Sequence, residues 1–382
     1  MYNILTLNKI SKIGLSVLDS SKYACSDSFE APDAVLVRSA AMHEMKLDEK
    51  TLAVARAGAG VNNIPVQDYA DAGVVVFNTP GANANAVKEL VICSLFLASR
   101  KIAAAYDWCK TLKGEGDGVG KLVEKGKSQF AGPEILGKTL GVVGMGAIGA
   151  LVAESASALG MSIVGYDPFL SEARIAEFTA KGWKITADIE DIWAQADYIT
   201  LHLPLNDATR GTINTETIKK LKDGARILNF ARGELVDSDA LLAALDEGKI
   251  GAYVTDFPTD AQIGHDGVTA IPHLGASTPE SEDNCAVMAA QEVSAYLEKG
   301  EILHSVNYPD ASLPASFKVR TCFLHNEDEG FAAKACEKAA AGGAAVENCF
   351  TASGKGKGYT VLDTDKAFDT DGIEAIRIRV IK

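Results

Sequence analysis

The stretch Thr139-Leu140-Gly141-Val142-Val143-Gly144-Met145-Gly146-Ala147-Ile148-Gly149 decides how this chain reads. A short apolar run ends in G-x-G-x-x-G, and a helical pattern runs on to about Leu159. Alone the glycine pattern is weak, and a chain with 35 glycines can match it by chance. Its setting, after a strand and opening a helix, is what a dinucleotide-binding turn requires. The glycines let the backbone turn tightly and approach a pyrophosphate at the helix N-terminus. The plainer reading is a tight strand–helix packing turn with no ligand.

Working outward, Met161 to Tyr166 reads as the next strand and Asp167 follows it, 18 residues after Gly149. A carboxylate there accepts hydrogen bonds from a ribose and repels a 2′-phosphate, which favours NAD over NADP. Asp167 also serves as a turn former before Pro168, and both roles can coexist. Further strands are expected at Tyr198–Leu203, Ala225–Asn229 and Gly251–Thr255, with helices between them. That alternation predicts a doubly wound α/β sheet.

Upstream, Ala34–Val37, Leu52–Ala55 and Val74–Phe77 are unbroken apolar runs, which suit a parallel sheet covered on both faces. The pattern from about Asn85 to Tyr106 is apolar nearly all round and reads as a buried inter-domain helix. Residues 113–132, rich in Gly and charge, read as a flexible loop. Downstream, a helix is expected over Val287–Lys299. After a linker with Pro309 and Pro314, a small domain follows from Phe317 to Lys382, with strands at Lys318–Leu324, Tyr359–Leu362 and Ala375–Ile381 and a helix at Gly330–Ala341. The whole is expected to be two or three domains in 382 residues.

The formal net charge of -14 argues against nucleic acid and anionic membranes as partners. An acidic substrate would therefore need a local cluster of Arg or Lys. Seven scattered cysteines without a C-x-x-C pair argue against a disulfide framework or a metal site and for a reducing compartment. The start of the chain alternates like a strand and lacks the pattern of a signal peptide, so the cytoplasm is expected.

Three segments at strand ends carry chemistry: Asn229-Phe230-Ala231-Arg232-Gly233, Asp256-Phe257-Pro258-Thr259-Asp260, and Pro272-His273-Leu274-Gly275-Ala276-Ser277-Thr278. Loops at strand carboxyl ends surround the ligand crevice of an open α/β sheet. Oxidising a 2-hydroxy acid needs a base for the hydroxyl proton, and His suits this near neutral pH. It also needs a carboxylate to orient the imidazole, and a guanidinium to grip the substrate carboxylate. His273, Asp260 and Arg232 can fill these roles. Each also has a bland reading, as a structural His or a surface ion pair.

These residues, with Arg56-Ala57-Gly58-Ala59-Gly60-Val61 and Asn78-Thr79-Pro80-Gly81, resemble the D-isomer-specific 2-hydroxyacid dehydrogenases, and within them the branch acting on 3-phosphoglycerate. The similarity covers nearly the whole chain. It implies two Rossmann-like domains flanking a cleft. A substrate-binding domain of residues 1–102 and 283–310 would be interrupted by an NAD-binding domain at 103–282. Arg232 and His273 match the family's catalytic Arg and His. The third member is usually Glu, and Asp260 stands in its place, one methylene shorter. Asp256 falls on a position facing the nicotinamide. Gly144, Gly146, Ala147, Ile148, Gly149, Asp167, Phe230, Ala231, Gly275 and Ala276 match other NAD-contacting positions. Arg38 and Arg56 match basic positions that bind a substrate phosphate, and amides near Gly58 and Gly60 would hold the carboxylate. Residues 316–382 resemble an ACT domain, a βαββαβ module that binds serine in related enzymes. A packing or dimerisation role is the simpler expectation here. The family also implies a homodimer or larger homo-oligomer. Alternatives are a glyoxylate or hydroxypyruvate reductase and an NAD-sensing binding protein.

Overall fold

The computed structural model describes residues 1–314 and 316–382. The chain forms two compact units, Met1–Asn83 with Thr278–Lys382, and Ala84–Ser277.

The first unit is built on a five-stranded parallel sheet of β1 (Tyr2–Leu7), β2 (Tyr23–Ser26), β3 (Ala34–Val37), β4 (Ala53–Arg56) and β5 (Val75–Asn78), in the order β2-β1-β3-β4-β5. The apolar runs behave as their composition demands: Val35, Leu36 and Val37 are fully buried. Each such side chain contributes roughly 1.5–3 kcal/mol. Short helices α1 (Lys12–Leu15) and α2 (Val66–Asp71) belong to this unit.

The second unit carries a seven-stranded parallel sheet of β6 (Thr139–Val143), β7 (Ser162–Tyr166), β8 (Lys184–Thr186), β9 (Tyr198–Leu201), β10 (Ala225–Asn229), β11 (Ile250–Thr255) and β12 (Val268–Ala270). Their order is β12-β11-β10-β9-β6-β7-β8. The chain runs outward from β6 to β8, then restarts beside β6 with β9. That reversal is the switch point where open α/β sheets bind ligands. Helices α3 (Ala84–Arg100), α4 (Ile102–Thr111), α5 (Val119–Gly126), α6 (Ala147–Ala158), α7 (Glu172–Ala180), α8 (Glu190–Gln195), α9 (Thr215–Lys220) and α10 (Ser238–Asp246) complete it.

Two expectations fail here. The long helix breaks at Lys101, which takes φ 48°, and none of α4 is buried. Only the first part, α3, is a core helix, and its Val87, Val91 and Leu95 join the second unit's own hydrophobic cluster. Residues 113–132 are also more ordered than a flexible loop. α5 forms there, Trp108 meets Phe130 at 5.4 Å, and Gly126 lies so close to the Trp108 ring that a Cβ would sit 2.4 Å from it.

The chain returns to the first unit through α11 (Pro279–Lys299). This helix starts earlier than expected, because the Thr278 side chain caps it by accepting from Ser281 N and Pro279 occupies the first turn. An antiparallel sheet of β13 (Val319–Asn326), β14 (Val346–Gly354), β15 (Lys357–Thr364) and β16 (Arg377–Ile381) follows, ordered β14-β15-β13-β16, with α12 (Phe331–Ala341) packed on β14 and β15. The expected βαββαβ module appears as βαβββ: among the described residues no helix lies between β15 and β16.

Alternation in β13 sends its side chains to two different buried clusters. Phe323 packs under α12 with Phe331 and Leu362, while Cys322 and Leu324 join a cluster with Ala289, Val293 and Leu297 of α11. Polar anchors follow the same face. Arg379 Nη1 donates to Tyr296 O at 2.7 Å, Tyr359 Oη to Gly300 O at 2.5 Å, and Lys357 pairs with Asp71 at 2.6 Å. The compact units therefore divide differently from the expected domains. Residues 84–102 fall with 103–277, and the C-terminal sheet shares a core with residues 1–83.

Candidate active site

The glycine turn leaves β6 at Gly144, whose φ is 95° and whose absent Cβ would lie 2.5 Å from the His202 carbonyl oxygen. A Cβ on Gly149 would sit 1.9 Å from Gly144 O, so the third glycine sets the close helix–strand approach. Gly146 differs: a Cβ there would meet nothing within 4 Å. It caps α6 with no side-chain hydrogen bond, which leaves the first-turn N–H groups to a ligand. The arrangement fits a dinucleotide phosphate, with Gly146, exposed Ala147 and half-buried Ile148 on the open side.

Asp167 is tied to this turn. Its Oδ2 accepts from Met145 N at 3.0 Å and its Oδ1 from Phe169 N at 3.0 Å. Each carboxylate oxygen keeps capacity for a ribose hydroxyl. His202, beneath the turn, holds Thr200 Oγ1 at 2.9 Å, and burial pushes its imidazole down to about 4. It stays neutral at physiological pH and packs the turn.

At the ends of β10 and β11 the chemistry-bearing loops meet. Asn229, fully buried, ties down the first: its Nδ2 donates to Arg232 O at 2.8 Å and its Oδ1 accepts from Ala231 N at 3.2 Å. Arg232 itself is exposed, with its guanidinium 5.7 Å from the Phe257 ring centre. The His273 ring lies 4.3 Å from the same Phe257 ring and is exposed. Phe257 therefore touches both candidate catalytic groups. Asn229 and Phe257 stand inside the motifs, and nothing in the sequence pattern alone marks either for a role.

The two acidic candidates part company. Asp256 is 2% exposed, and its Oδ2 accepts from Gly275 N at 3.2 Å while Oδ1 has no partner among the described residues. Burial raises its carboxyl, against the opposing charges of His273 and Arg232 and the Gly275 N–H. Asp260 is exposed at the start of a 3-10 turn, Asp260–Gln262, that a Thr259–Gln262 capping box fixes. Among the described residues its side chain makes no hydrogen bond or ion pair. The expected Asp260–His273 pairing is not formed, and the carboxylate set against His273 is that of Asp256. Of the other expected cofactor positions, the Phe230 side chain is core, Gly275 is buried against Asp256, and Ala231 and Ala276 are half-buried.

In the first unit, Arg38 and Arg56 sit at the carboxyl ends of adjacent strands, where Val37 pairs with Arg56. Arg56 Nε donates to Arg38 O at 3.0 Å, and Arg38 Nη1 lies 2.8 Å from Glu282 Oε1. The Gly58 N–H expected to hold a carboxylate instead donates to Arg56 O at 2.8 Å. Gly60 is half-buried. No group of three or more His, Cys, Asp or Glu side chains is arranged for a metal among the described residues, and none of their helices is long and apolar enough to cross a membrane.

Residues 92–275 match the family model described as D-isomer specific 2-hydroxyacid dehydrogenase, NAD binding domain. The chain is 34% identical over 327 residues to the D-3-phosphoglycerate dehydrogenase of Bacillus subtilis (strain 168), covering 81% of this chain and 59% of that one. It is 39% identical over 269 residues to that of Methanocaldococcus jannaschii, covering 69% and 48%. The chain thus spans about half to three-fifths of the length of these relatives. Among solved structures it resembles the NAD+-bound 3-phosphoglycerate dehydrogenase of Entamoeba histolytica, with 28% identity and a TM-score of 0.64 over 80% of this chain and 98% of that one.

Proposed function

We propose, from the premise that residues 92–275 are an NAD-binding domain of the D-isomer specific 2-hydroxyacid dehydrogenase family, that this chain oxidises 3-phosphoglycerate to 3-phosphohydroxypyruvate. The observation that carries the reading is the grouping of Arg232, His273 and Asp256 around Phe257 in the same unit as the glycine turn. Gly144, Gly146, Ala147, Ile148, Gly149 and Asp167 would hold NAD. When bound, NAD supplies the acceptor for the hydrogen that leaves the substrate carbon with its electron pair.

The chain's own residues do the rest. Arg232 grips the substrate carboxylate with parallel N–H donors. His273 takes the hydroxyl proton as the C–O bond becomes a carbonyl. The Asp256 carboxylate offsets the positive charge that gathers on the imidazole beside Arg232. Phe257 packs beside both side chains, and Asn229 fixes the backbone that presents Arg232. Arg38 and Arg56 are assigned to the substrate phosphate. The Arg38–Glu282 pair supports this, because the guanidinium already donates to an anionic oxygen. The names carried by the relatives favour the phosphorylated substrate.

The C-terminal sheet, with its β14-β15-β13-β16 order, is in this reading an ACT-like module that has become a packing element of the first unit. The enzyme is expected to be a homo-oligomer in the cytoplasm, and light scattering of the purified chain would check the first of these. Steady-state NADH formation tests the substrate. With Arg38→Ala, the Michaelis constant for 3-phosphoglycerate should rise while that for D-glycerate stays the same. An unchanged constant for 3-phosphoglycerate removes Arg38 from phosphate binding.

A further inference from the structure

A pocket of about 590 Å³ opens on the first unit, bounded by α11, the Gly81–Ala82 turn after β5, and the segment from Glu301 to His304. Glu292 of α11 lines it and is 6% exposed. Its Oε1 meets His304 Nδ1 at 2.9 Å, and its Oε2 has no partner among the described residues. A buried carboxyl oxygen without a partner carries the full cost of losing water. His304 faces it from a left-handed backbone conformation, φ 58°, which non-glycine residues seldom adopt. The catalytic account uses neither residue.

The pocket's chemistry restricts what could complete it. Glu301 lines it as a second acid, and among the described residues no Lys or Arg does. Asp310 adds negative field at Glu292. An anion is repelled by Glu301 and Asp310, and besides Glu292 and Glu301 His304 is the one titratable group in the wall among the described residues. Val287, Met288 and Leu303 give the pocket an apolar side.

We propose that this pocket binds a small alkylammonium ion, whose N–H donors complete Glu292 Oε2 while a short hydrocarbon body lies against Val287, Met288 and Leu303. Burial, with Asp310 second, pushes the Glu292 carboxyl up to about 9, and a cationic partner would relieve that desolvation.

The test is isothermal titration calorimetry of the full chain with n-butylammonium chloride, at constant ionic strength. n-Butanol and sodium butyrate serve as comparators of the same shape. The expected result is one-site binding of butylammonium, with butanol and butyrate at least tenfold weaker. Glu292→Gln should weaken butylammonium by about tenfold or more, as for a lost charge-assisted hydrogen bond. No saturable binding of butylammonium overturns the proposal. So does binding of butanol as tight as that of the ammonium, or binding undiminished in Glu292→Gln. If thermal unfolding shows that variant is not folded, Met288→Trp decides, since it fills the pocket from the apolar wall and leaves Glu292 in place. Loss of binding there supports the site, and full retention overturns it.

Discussion

Exchanging Asp256 or Asp260 for Asn separates the carboxylate set against His273 in the structure from the one that the sequence offered as its partner. Asp256→Asn keeps the side chain's shape and an oxygen for the Gly275 N–H. What it removes is a buried negative charge facing His273 and Arg232. At an effective dielectric near 20, one charge acting on another at about 4 to 8 Å amounts to about 2–4 kcal/mol. The imidazole gains positive charge as it takes the substrate proton, so the loss falls on the transition state. Taking the lower figure, kcat/KM should drop by about 30-fold. Asp260→Asn touches an exposed group with no bonded partner, and its effect should stay within about twofold. The assay is NADH formation with saturating NAD and varied 3-phosphoglycerate, with thermal unfolding measured beside it. Burial already disfavours the Asp256 charge in the fold, so Asp256→Asn should unfold no earlier than the parent. A larger loss in Asp260→Asn than in Asp256→Asn would refute the reasoning and return Asp260 to the role its position implied.

Other consequences follow from single features. Gly146→Val should abolish NAD binding in a titration of protein fluorescence yet leave thermal unfolding nearly unchanged, because its Cβ meets no protein atom. Gly149→Ala forces a Cβ to within 1.9 Å of a carbonyl oxygen and should fail to fold. Arg320 is fully buried and bonds both oxygens of Asp363, at 2.6 and 2.8 Å. Arg320→Ala leaves that carboxylate unpaired and should cost about 3–5 kcal/mol in urea unfolding. The Glu292 carboxyl is raised from 4.5 to about 9, so the folded state holds a proton that the unfolded state has lost between those values. Stability is therefore greatest on the acid side and falls as pH rises through that window, by up to about 1.4 kcal/mol per pH unit. Glu292→Gln lacks this slope, and unfolding measured across the window in both proteins checks it.

The parallel strands were legible because both faces of each sheet are covered. Ala34–Val37 is apolar without interruption, Thr139–Val143 is apolar after its first residue, and Ala225–Asn229 keeps Ile227 and Leu228 between Arg226 and Asn229; the structure has strands over those same residues. The glycine turn was legible because Gly144 and Gly149, where a side chain does not fit, stand in G-x-G-x-x-G directly after an apolar run. β14 was not. Val346-Glu347-Asn348-Cys349-Phe350-Thr351-Ala352-Ser353-Gly354 is an edge strand with one exposed face, and its polar residues read as loop until β15 is there to pair with it. The break at Lys101 has no Gly or Pro to announce it. In the site, spacing identified the loops but could not say which acid in Asp256-Phe257-Pro258-Thr259-Asp260 turns inward. That depends on the Gly275 N–H reaching one carboxylate from a separate loop, and on a capping box that holds the other outside. Phe257 was equally silent, since an aromatic before Pro258 reads as packing until His273 and Arg232 are seen around it.

The central claim is that His273 takes the hydroxyl proton while hydrogen passes from C2 of a 2-hydroxy acid to NAD. Its most direct test is turnover of 3-phosphoglycerate deuterated at C2, with mass spectrometry of the NADH formed. The account predicts one deuterium in each NADH from the parent protein and no NADH above background from His273→Ala. Unlabelled NADH, or undiminished turnover in His273→Ala, would contradict it.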